Sequence, residues 1–129
     1  MSSAFLEHVN VTVSDPEATA KRLGNWFGWT VRWKGASLGG GTTYHIGNET
    51  SYIAVYTPPK QTTQVPGESY SHHGGLNHIA VVVDDLDATE ERIKAGGYTT
   101  HNHGDYEPGR RFYFDDDDGI EFEVVSYAR

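Results

Sequence analysis

Two histidines and one glutamate are the residues of this chain best suited to bind a metal ion. His8 and His78 stand 70 positions apart, each at the start of a segment in which every second residue is valine or isoleucine. Glu123 lies in a third alternating segment. Two neutral imidazoles and one carboxylate form a facial triad that leaves coordination positions open for substrate, water or oxygen. These residues predict one mononuclear site for a divalent metal, with Fe²⁺, Mn²⁺, Ni²⁺ and Zn²⁺ as candidates.

An internal repeat places the two histidines at equivalent positions. When the sequence is shifted by 70 positions, eight of the 17 residues in 6–22 are identical to their counterparts in 76–92. After the first predicted helix the offset becomes 69, which matches Tyr44 with Tyr113. Two copies of one supersecondary unit are therefore expected.

The repeat divides a single predicted domain, residues 1–129, into two modules. Module one covers residues 4–57 and module two covers residues 75–127. Residues 58–74 are rich in Pro, Thr, Ser, Gly and Gln and are predicted to form the loop between them. The order of patterns in each module is βαβββ, so the predicted fold class is α+β.

Each module opens with a strand and a capped helix. In module one, three valines alternate with polar residues, and Asp15-Pro16 is typical of a helix start. Asp85 takes the same place in module two. Three short strands are predicted to follow in each module, at residues 30–35, 41–46 and 51–57 and at residues 98–103, 110–115 and 120–126.

The direction of the side chains in these strands decides where a site can lie. The apolar face of each first strand must pack against the helix of its own module, so His8 and His78 point away from that helix. In the last strand Phe122 takes the helix side, which turns Glu121 and Glu123 toward the histidine side. Two curved four-stranded sheets, as an eight-stranded mixed sheet or two half-barrels, would enclose a cleft where both histidines and Glu123 converge.

Further side chains are expected in this cleft. Tyr113 and His103 are the candidate catalytic groups, and His101 and His103 are predicted to share one strand face. Repeat symmetry places Ala54 where a partner of Glu123 would stand, so three protein ligands are expected. The substrate-binding candidates are Asn10, Tyr52, Tyr56 and Arg111.

Two conspicuous segments are predicted to form a loop and a turn. His72 and His73 fall in the linker and are expected to be solvated, unless the loop folds over the cleft and brings one of them inward. The four aspartates at residues 115–118 lack the ligand spacing of a calcium loop, so they are interpreted as a hairpin turn.

The histidine segments and the C-terminal strands resemble a known superfamily. The motifs are Leu6-Glu7-His8-Val9, Leu76-Asn77-His78-Ile79 and the stretch at residues 112–123, which includes Asp116-Asp117-Asp118-Gly119. They are similar to the vicinal oxygen chelate superfamily, which contains glyoxalase I, bleomycin-resistance proteins, fosfomycin-resistance thiol transferases, methylmalonyl-CoA epimerases and extradiol dioxygenases. The similarity covers almost the whole chain, but it specifies the superfamily better than the reaction.

The resemblance implies a metal that binds two oxygens of a small substrate, with His8, His78 and Glu123 as ligands. An extradiol-type dioxygenase is slightly favoured over a glyoxalase-type lyase or isomerase, which normally has a fourth ligand where Ala54 stands. A fosfomycin-type thiol transferase comes third, because its glutathione-dependent members carry threonine in place of Asn10. A metal-free protein that sequesters a drug in a Trp- and Tyr-lined groove is the remaining alternative.

The amino-acid composition limits the kinds of partner and ligand that this protein is expected to bind. Eighteen acidic residues against ten basic ones give a net charge of −8 and no basic stripe, which argues against nucleic acid. No apolar run approaches the ~20 residues of a membrane span, and the N-terminus lacks the features of a signal peptide, so a cytoplasmic protein is expected. Without cysteine, thiolate ligands are excluded. The resemblance adds a small-molecule substrate and a homodimer, with the site formed within one chain or across the dimer.

Overall fold

The computed structural model describes residues 2–64, 67–107 and 109–128. The described residues do not include residues 65 and 66, which belong to the predicted linker. They also do not include residue 1, which belongs to the N-terminus that was predicted to lack a signal peptide. The chain divides into two compact units, Met1–Thr63 and Gln64–Arg129, which we call unit 1 and unit 2. No helix among the described residues is long and apolar enough to cross a membrane.

Unit 1 contains one four-stranded mixed sheet and one long helix. Strand β1 is parallel to β4, and the other neighbours in the order β1-β4-β3-β2 are antiparallel. The elements are β1 (His8–Thr12), α1 (Pro16–Phe27), β2 (Thr30–Ala36), a 3₁₀ turn (Leu38–Gly40), β3 (Thr42–Gly47) and β4 (Tyr52–Thr57).

Unit 2 repeats this topology, with the strand order β5-β8-β7-β6 and β5 parallel to β8. Its elements are a 3₁₀ turn (Ser69–Ser71), β5 (Ile79–Val82), α2 (Leu86–Ala95), β6 (Thr100–Tyr106), β7 (Gly109–Asp115) and β8 (Glu121–Ser126). The predicted α+β class and the two βαβββ modules are confirmed.

Matching aspartates start the two helices. The Asp15 side chain accepts a hydrogen bond from Ala18 N at 3.2 Å, and the Asp85 side chain accepts one from Ala88 N at 3.0 Å. Each bond satisfies an N–H group that has no partner in the first helical turn. Gly28 ends α1 in the left-handed conformation, with φ at 72°.

One face of each sheet packs on the helix of its own unit, and these apolar residues form two cores. In unit 1 the buried residues include Leu23, Ile46, Ile53 and Val55. In unit 2 they include Ile93, Phe112, Phe114, Phe122 and Val124. Because side chains alternate along a strand, the residues between these point to the opposite face, which we call the site face.

The two site faces carry the residues of interest. On unit 1 the site face includes His8, Trp33, His45, Tyr52 and Ala54. On unit 2 it includes His78, His101, Tyr113, Glu121 and Glu123. The alternation in the sequence predicted this placement of His8, His78, Glu121 and Glu123.

The register of the ladders corrects one equivalence drawn from the repeat. Tyr113 pairs with Glu123, whereas the residue that pairs with Ala54 is His45. Tyr44 pairs with Val55 and therefore lies on the helix side. The counterpart of Tyr113 is His45, so the match of Tyr44 with Tyr113 was wrong: the strand offset there is 68, and a one-residue shift reverses the face.

A bulge corrects a second prediction, that His101 and His103 share one strand face. His101 pairs with Tyr113, but the register then shifts, and the next pair joins Gly104 to Arg111. Within the shifted segment Asn102 adopts a positive φ of 52°. An extra residue in one strand breaks the alternation of faces, and His103 is consequently turned to the helix side.

Candidate metal centre

The centre of the unit 2 site face is a histidine–carboxylate pair. His78 Nε2 lies 3.1 Å from Glu123 Oε1. The His78 side chain is 30% exposed and that of Glu123 is only 9% exposed, so this pair sits at the boundary between the core and solvent. A buried carboxylate beside an imidazole nitrogen supplies two donor atoms of the kinds that divalent transition metals bind.

Arg111 fixes the second oxygen of Glu123. Its Nη1 donates to Glu123 Oε2 at 2.7 Å, and its Nη2 donates to the Gly109 carbonyl at 3.2 Å. The guanidinium also lies over the Tyr106 ring, 4.7 Å from its centroid. Arg111 was predicted to bind substrate; its guanidinium holds Oε2 of Glu123 while Oε1 points to His78.

Tyr113 completes this group. Its ring meets the His78 ring edge-on at 5.5 Å between centroids and stacks on His101 at 6.3 Å. Burial and the neighbouring Glu123 charge raise the pKa of Tyr113 above its ordinary value, so the phenol stays protonated and can donate a hydrogen bond at neutral pH.

The other ring nitrogen of His78 meets a tyrosine and a second glutamate. The Tyr70 hydroxyl lies 3.1 Å from His78 Nδ1 and donates to Glu121 Oε1 at 2.5 Å. The bond to Glu121, with burial, raises the pKa of Tyr70 to about 12. Sequence reasoning missed Tyr70 because it lies in the predicted linker; the available signal was that it is the only Phe, Trp or Tyr between residues 58 and 74.

A second group of metal-ligand type lies beside the first. One donor atom from each of His101, Asp115 and Glu121 falls within 4.8 Å of the other two. His101 Nε2 is 3.4 Å from Asp115 Oδ2, and the Asp115 side chain is 53% exposed. Both groups draw on β8, since Glu121 and Glu123 are alternate residues of that strand.

His103 belongs to a different cluster on the helix side. Its Nε2 lies 2.6 Å from Glu90 Oε2 of α2, which also accepts from Thr100 Oγ1 at 2.5 Å. Burial alone would raise the pKa of Glu90, but the hydrogen bonds from His103 and Thr100 outweigh it, and the pKa is lowered. His103, a predicted catalytic group, therefore lies on the helix side of the sheet and apart from the cluster around His78.

The unit 1 site face is an aromatic stack. The Tyr52 ring stacks on His8 at 4.8 Å and on His45 at 4.5 Å, and Trp33 contacts His45 at 5.0 Å. His8 Nδ1 lies 2.9 Å from Glu7 Oε1. Burial, with the charges of His8 and Arg32, lowers the pKa of His45, so this imidazole is neutral at pH 7.

The remaining predicted residues of unit 1 lie on the same sheet. Asn10 is exposed and pairs with Ala54 in the parallel ladder, and Tyr56 is half-buried opposite Thr12. Unit 1 has the buried Ala54 at the position of Glu123 and therefore offers no carboxylate there. His45 was missed by sequence reasoning because the offset of 69 matched its neighbour Tyr44 to Tyr113.

The segment around His72 and the segment around Asp116 both form turns. His72 Nδ1 lies 2.5 Å from the Glu68 carbonyl within its own turn, and His73 is exposed. Asp116 accepts hydrogen bonds from Asp118 N and Ile120 N, both at 2.9 Å, which closes the acidic hairpin. These aspartates organise the turn before β8, as predicted from the sequence.

Comparison with known families gives one match. Residues 5–124 match the family model described as Glyoxalase/Bleomycin resistance protein/Dioxygenase superfamily. Among curated proteins none matches the chain.

Many solved structures share the fold. A glyoxylase/bleomycin resistance protein/dioxygenase domain from Frankia sp. EAN1pec is 22% identical with a TM-score of 0.81, covering 99% of this chain and 100% of that one. The fosfomycin resistance protein FosX from Listeria monocytogenes, complexed with Mn(II) and sulfate, is 22% identical with a TM-score of 0.70, covering 97% and 93%. FosX from Mesorhizobium loti is 23% identical with a TM-score of 0.68, covering 96% and 92%.

Proposed function

The chain belongs to the glyoxalase/bleomycin resistance protein/dioxygenase superfamily, and on this premise we propose that it is a divalent-metal-dependent enzyme acting on a small oxygenated substrate. The proposed ligands are His78 and Glu123 from unit 2 and His8 from unit 1. The proposed metal is one of Fe²⁺, Mn²⁺, Ni²⁺ or Zn²⁺.

The distance between His78 Nε2 and Glu123 Oε1 is the observation that carries this proposal. Metal–nitrogen and metal–oxygen bonds of about 2.1 Å place two neighbouring ligand atoms about 3 Å apart. The measured separation is 3.1 Å. The donor types also fit, because an imidazole and a carboxylate suit all four candidate metals.

The surroundings of Glu123 support the same assignment. Its Oε2 is occupied by Arg111, and its Oε1 is directed at His78. Carboxylate ligands are commonly oriented by such outer hydrogen bonds. With Ala54 at the equivalent place in unit 1, three protein ligands leave open positions for two substrate oxygens. When bound, the metal supplies Lewis-acid stabilisation of negative charge on those oxygens.

The chain's own residues then act around the bound substrate. Tyr113 keeps its proton at neutral pH and can donate a hydrogen bond to an oxygen that gains negative charge. Arg111 holds Glu123 and prevents the carboxylate from rotating away from His78. Tyr113 is therefore the proposed catalytic group, and Arg111 is a positioning residue.

The aromatic face of unit 1 favours a planar substrate. Trp33 is 48% exposed, and its neighbours His45 and Tyr52 continue the stacked surface. Aromatic rings prefer offset-stacked or edge-to-face partners. Together with a ligand set of two histidines and one glutamate, this favours an extradiol-type dioxygenase that cleaves a catechol-like diol. The surface also suits a protein that sequesters an aromatic drug without turnover.

Opening of an epoxide is the second candidate. A structure of the Listeria monocytogenes FosX holds Mn(II) and 1S,2S-dihydroxypropylphosphonic acid. In the present chain Arg32 lies over the Tyr52 ring at 4.5 Å, which places a cation on the unit 1 sheet beside the tyrosine that stacks on His8. An anionic epoxide would find its counter-charge there.

Metal content tests the proposed centre. Protein loaded separately with each candidate metal should hold about one equivalent, and His78→Ala and His8→Ala should each lose it. His73→Ala, an exposed histidine of unit 2, is the matched control and should retain the metal. If Asp115→Asn loses the metal while His78→Ala keeps it, the ion belongs to the neighbouring His101 group and the proposed ligand set is wrong.

Turnover separates the reactions. A dioxygenase consumes oxygen with Fe²⁺ and a catechol, an epoxide-opening enzyme consumes fosfomycin anaerobically with Mn²⁺, and a glyoxalase-type enzyme converts a thiol hemiacetal anaerobically. Tight binding of an aromatic ligand without turnover under any metal would favour sequestration. We also propose a homodimer, which sedimentation analysis of the full chain checks.

A further inference from the structure

The Nδ1 atoms of His78 and His8 each lie beside a glutamate, and in each unit a tyrosine hydroxyl donates to that glutamate. In unit 2, His78 Nδ1 is 3.5 Å from Glu121 Oε1, and the Tyr70 hydroxyl bridges them, 3.1 Å from Nδ1 and 2.5 Å from Oε1. In unit 1, His8 Nδ1 is 2.9 Å from Glu7 Oε1, and the Tyr52 hydroxyl donates to the same oxygen at 3.4 Å.

The two units build this arrangement from different positions. Tyr52 lies directly opposite His8 in the parallel ladder of unit 1. Glu121 holds the corresponding place in β8, one residue before the Ile79–Phe122 pair. Unit 1 therefore has the tyrosine on the last strand and the glutamate beside the histidine, whereas unit 2 has the glutamate on the last strand and recruits a tyrosine from the segment before β5.

Stability alone does not account for two such pairs. The side chains of His8 and Glu7 are 41% and 54% exposed, and ion pairs this exposed contribute little to folding. A neutral imidazole carries one proton, and a carboxylate at Nδ1 keeps that proton there. The lone pair is then on Nε2, the atom that faces Glu123 in unit 2.

We infer that Glu121 with Tyr70, and Glu7 with Tyr52, are positioning pairs that hold the Nδ1–H of His78 and His8 and so present Nε2 to the metal. This inference rests on the proposed function. A metal-bound histidine almost always donates its second N–H to a carboxylate, a carbonyl or water, and that partner sets the ring orientation and tautomer.

A compact turn holds Tyr70 in place. Ser71 N donates to the Glu68 carbonyl at 3.3 Å, and Gly75 N donates to the His72 carbonyl at 3.0 Å. A Cβ atom on Gly75 would lie 2.3 Å from the Ser69 carbonyl oxygen, so only glycine fits there. Gly75→Ala must move the Ser69–Ser71 turn, and Tyr70 moves with it. The segment predicted as a polar linker is thus part of the site.

Zinc affinity, measured by competition with a chromogenic chelator, tests the inference. Loss of an outer-shell partner weakens metal binding by roughly 10- to 100-fold. We expect Glu121→Gln to weaken zinc binding by close to 100-fold. Tyr70→Phe and Gly75→Ala should each weaken it by about 10-fold, and Glu7→Gln, where the glutamate is more exposed, by only a few-fold. The matched controls Glu91→Gln and Tyr127→Phe, both exposed in unit 2, should leave the affinity unchanged.

A spectroscopic measurement separates positioning from general destabilisation. In the zinc-loaded wild-type protein, the Nδ1–H proton of His78 should give a slowly exchanging downfield NMR resonance. Tyr70→Phe and Glu121→Gln should lose or shift it, while far-UV circular dichroism and thermal unfolding show an intact fold.

Two outcomes would overturn the inference in different ways. If His78→Ala abolishes zinc binding but Glu121→Gln and Tyr70→Phe bind it as tightly as the wild type, the positioning pairs are rejected and the metal centre stands. If the folded wild-type protein binds none of Fe²⁺, Mn²⁺, Ni²⁺ and Zn²⁺, the metal centre and the pairs are rejected together.

Discussion

The site faces of the two units have the same backbone and different chemistry. Each has a histidine at or directly before its first strand, His8 in β1 and His78 before β5, and both have the same strand order. The residues at the other equivalent positions of the face differ. In unit 1 they are Tyr52, Ala54, His45 and Trp33; in unit 2 they are, in the same order, Glu121, Glu123, Tyr113 and His101. Unit 1 presents stacked rings there, and unit 2 presents carboxylates with their hydrogen-bond partners.

This difference shows which parts of a duplicated unit can change freely. The residues that fill the two cores are mostly apolar in both units, because each sheet must bury its helix side to fold. The site-face side chains are not needed to fill a core, so they can diverge into an aromatic surface in one unit and a charged one in the other. The histidine is the chemical feature that both retain.

Glu123→Ala tests the largest effect, since it gives unit 2 the residue that unit 1 carries at Ala54. We expect zinc affinity to fall by at least about 100-fold, because a ligand matters more than the outer-shell partners that are each worth roughly 10- to 100-fold. Isothermal calorimetry of the folded variant measures this. Affinity equal to that of the Glu91→Ala control would show that Glu123 is not a ligand.

Arg111→Met breaks the buried ion pair that unit 1 lacks. The side chains of Arg111 and Glu123 are 13% and 9% exposed, so the substitution leaves a carboxylate without its partner in a largely buried place. We expect the free energy of unfolding to fall by about 3 kcal/mol in urea titrations of the metal-free protein. The control is Arg32→Met, which removes an exposed cation in unit 1 and should cost about 0.5 kcal/mol. Equal losses of unfolding free energy in Arg111→Met and Arg32→Met would show that the ion pair in unit 2 stabilises the protein no more than the exposed cation in unit 1.

Glu90→Gln tests divergence on the helix side, where unit 1 has the buried Ala20 at the matching position. The folded pKa of Glu90 is lowered from 4.5, so its stabilisation is present above that pH and is lost as the pH falls through the folded value. We expect Glu90→Gln to lower the free energy of unfolding by about 1 kcal/mol at pH 6. The gap should close below pH 4.5, and a gap that stays constant with pH would refute the ionic role.

Asp15→Ala and Asp85→Ala probe what the units share, so the expected difference between the two variants is the smallest. Each removes one bond to the first turn of a helix, so each should cost about 1 kcal/mol, with little difference between the two. Thermal unfolding measures both. A loss confined to one variant would mean that the two helices contribute unequally to their units.

Much of this architecture was predictable because it follows from local patterns. The alternation in β1, in β8 and in the segment that opens β5 predicted that His8, His78, Glu121 and Glu123 point away from the helices, and the Asp-capped helix starts were predicted correctly. Alternation is reliable where one face is strongly apolar, as at Phe122 and Val124, since a slip by one residue would bury the polar set.

The errors arose where the pattern changes by a single residue. The predicted offset of 69 differs by one residue from the observed offset of 68. The prediction therefore matched Tyr113 with Tyr44, whereas its counterpart in the structure is His45. The bulge after His101 moved His103 to Glu90 on the other side of the sheet. Neither His45 nor His103 lies in a run of residues apolar enough to fix its direction in advance.

The sequence by itself determined the two βαβββ units, their helix starts and the faces of the strands, because these depend on spacing along the chain and on the requirement to bury apolar residues. Only the tertiary structure decided which polar atoms meet. The Arg111 bond to Glu123, and the approach of Tyr70 to His78 and Glu121, join residues from different strands and from a loop without periodicity. Such contacts depend on strand register and turn geometry, which no local pattern encodes.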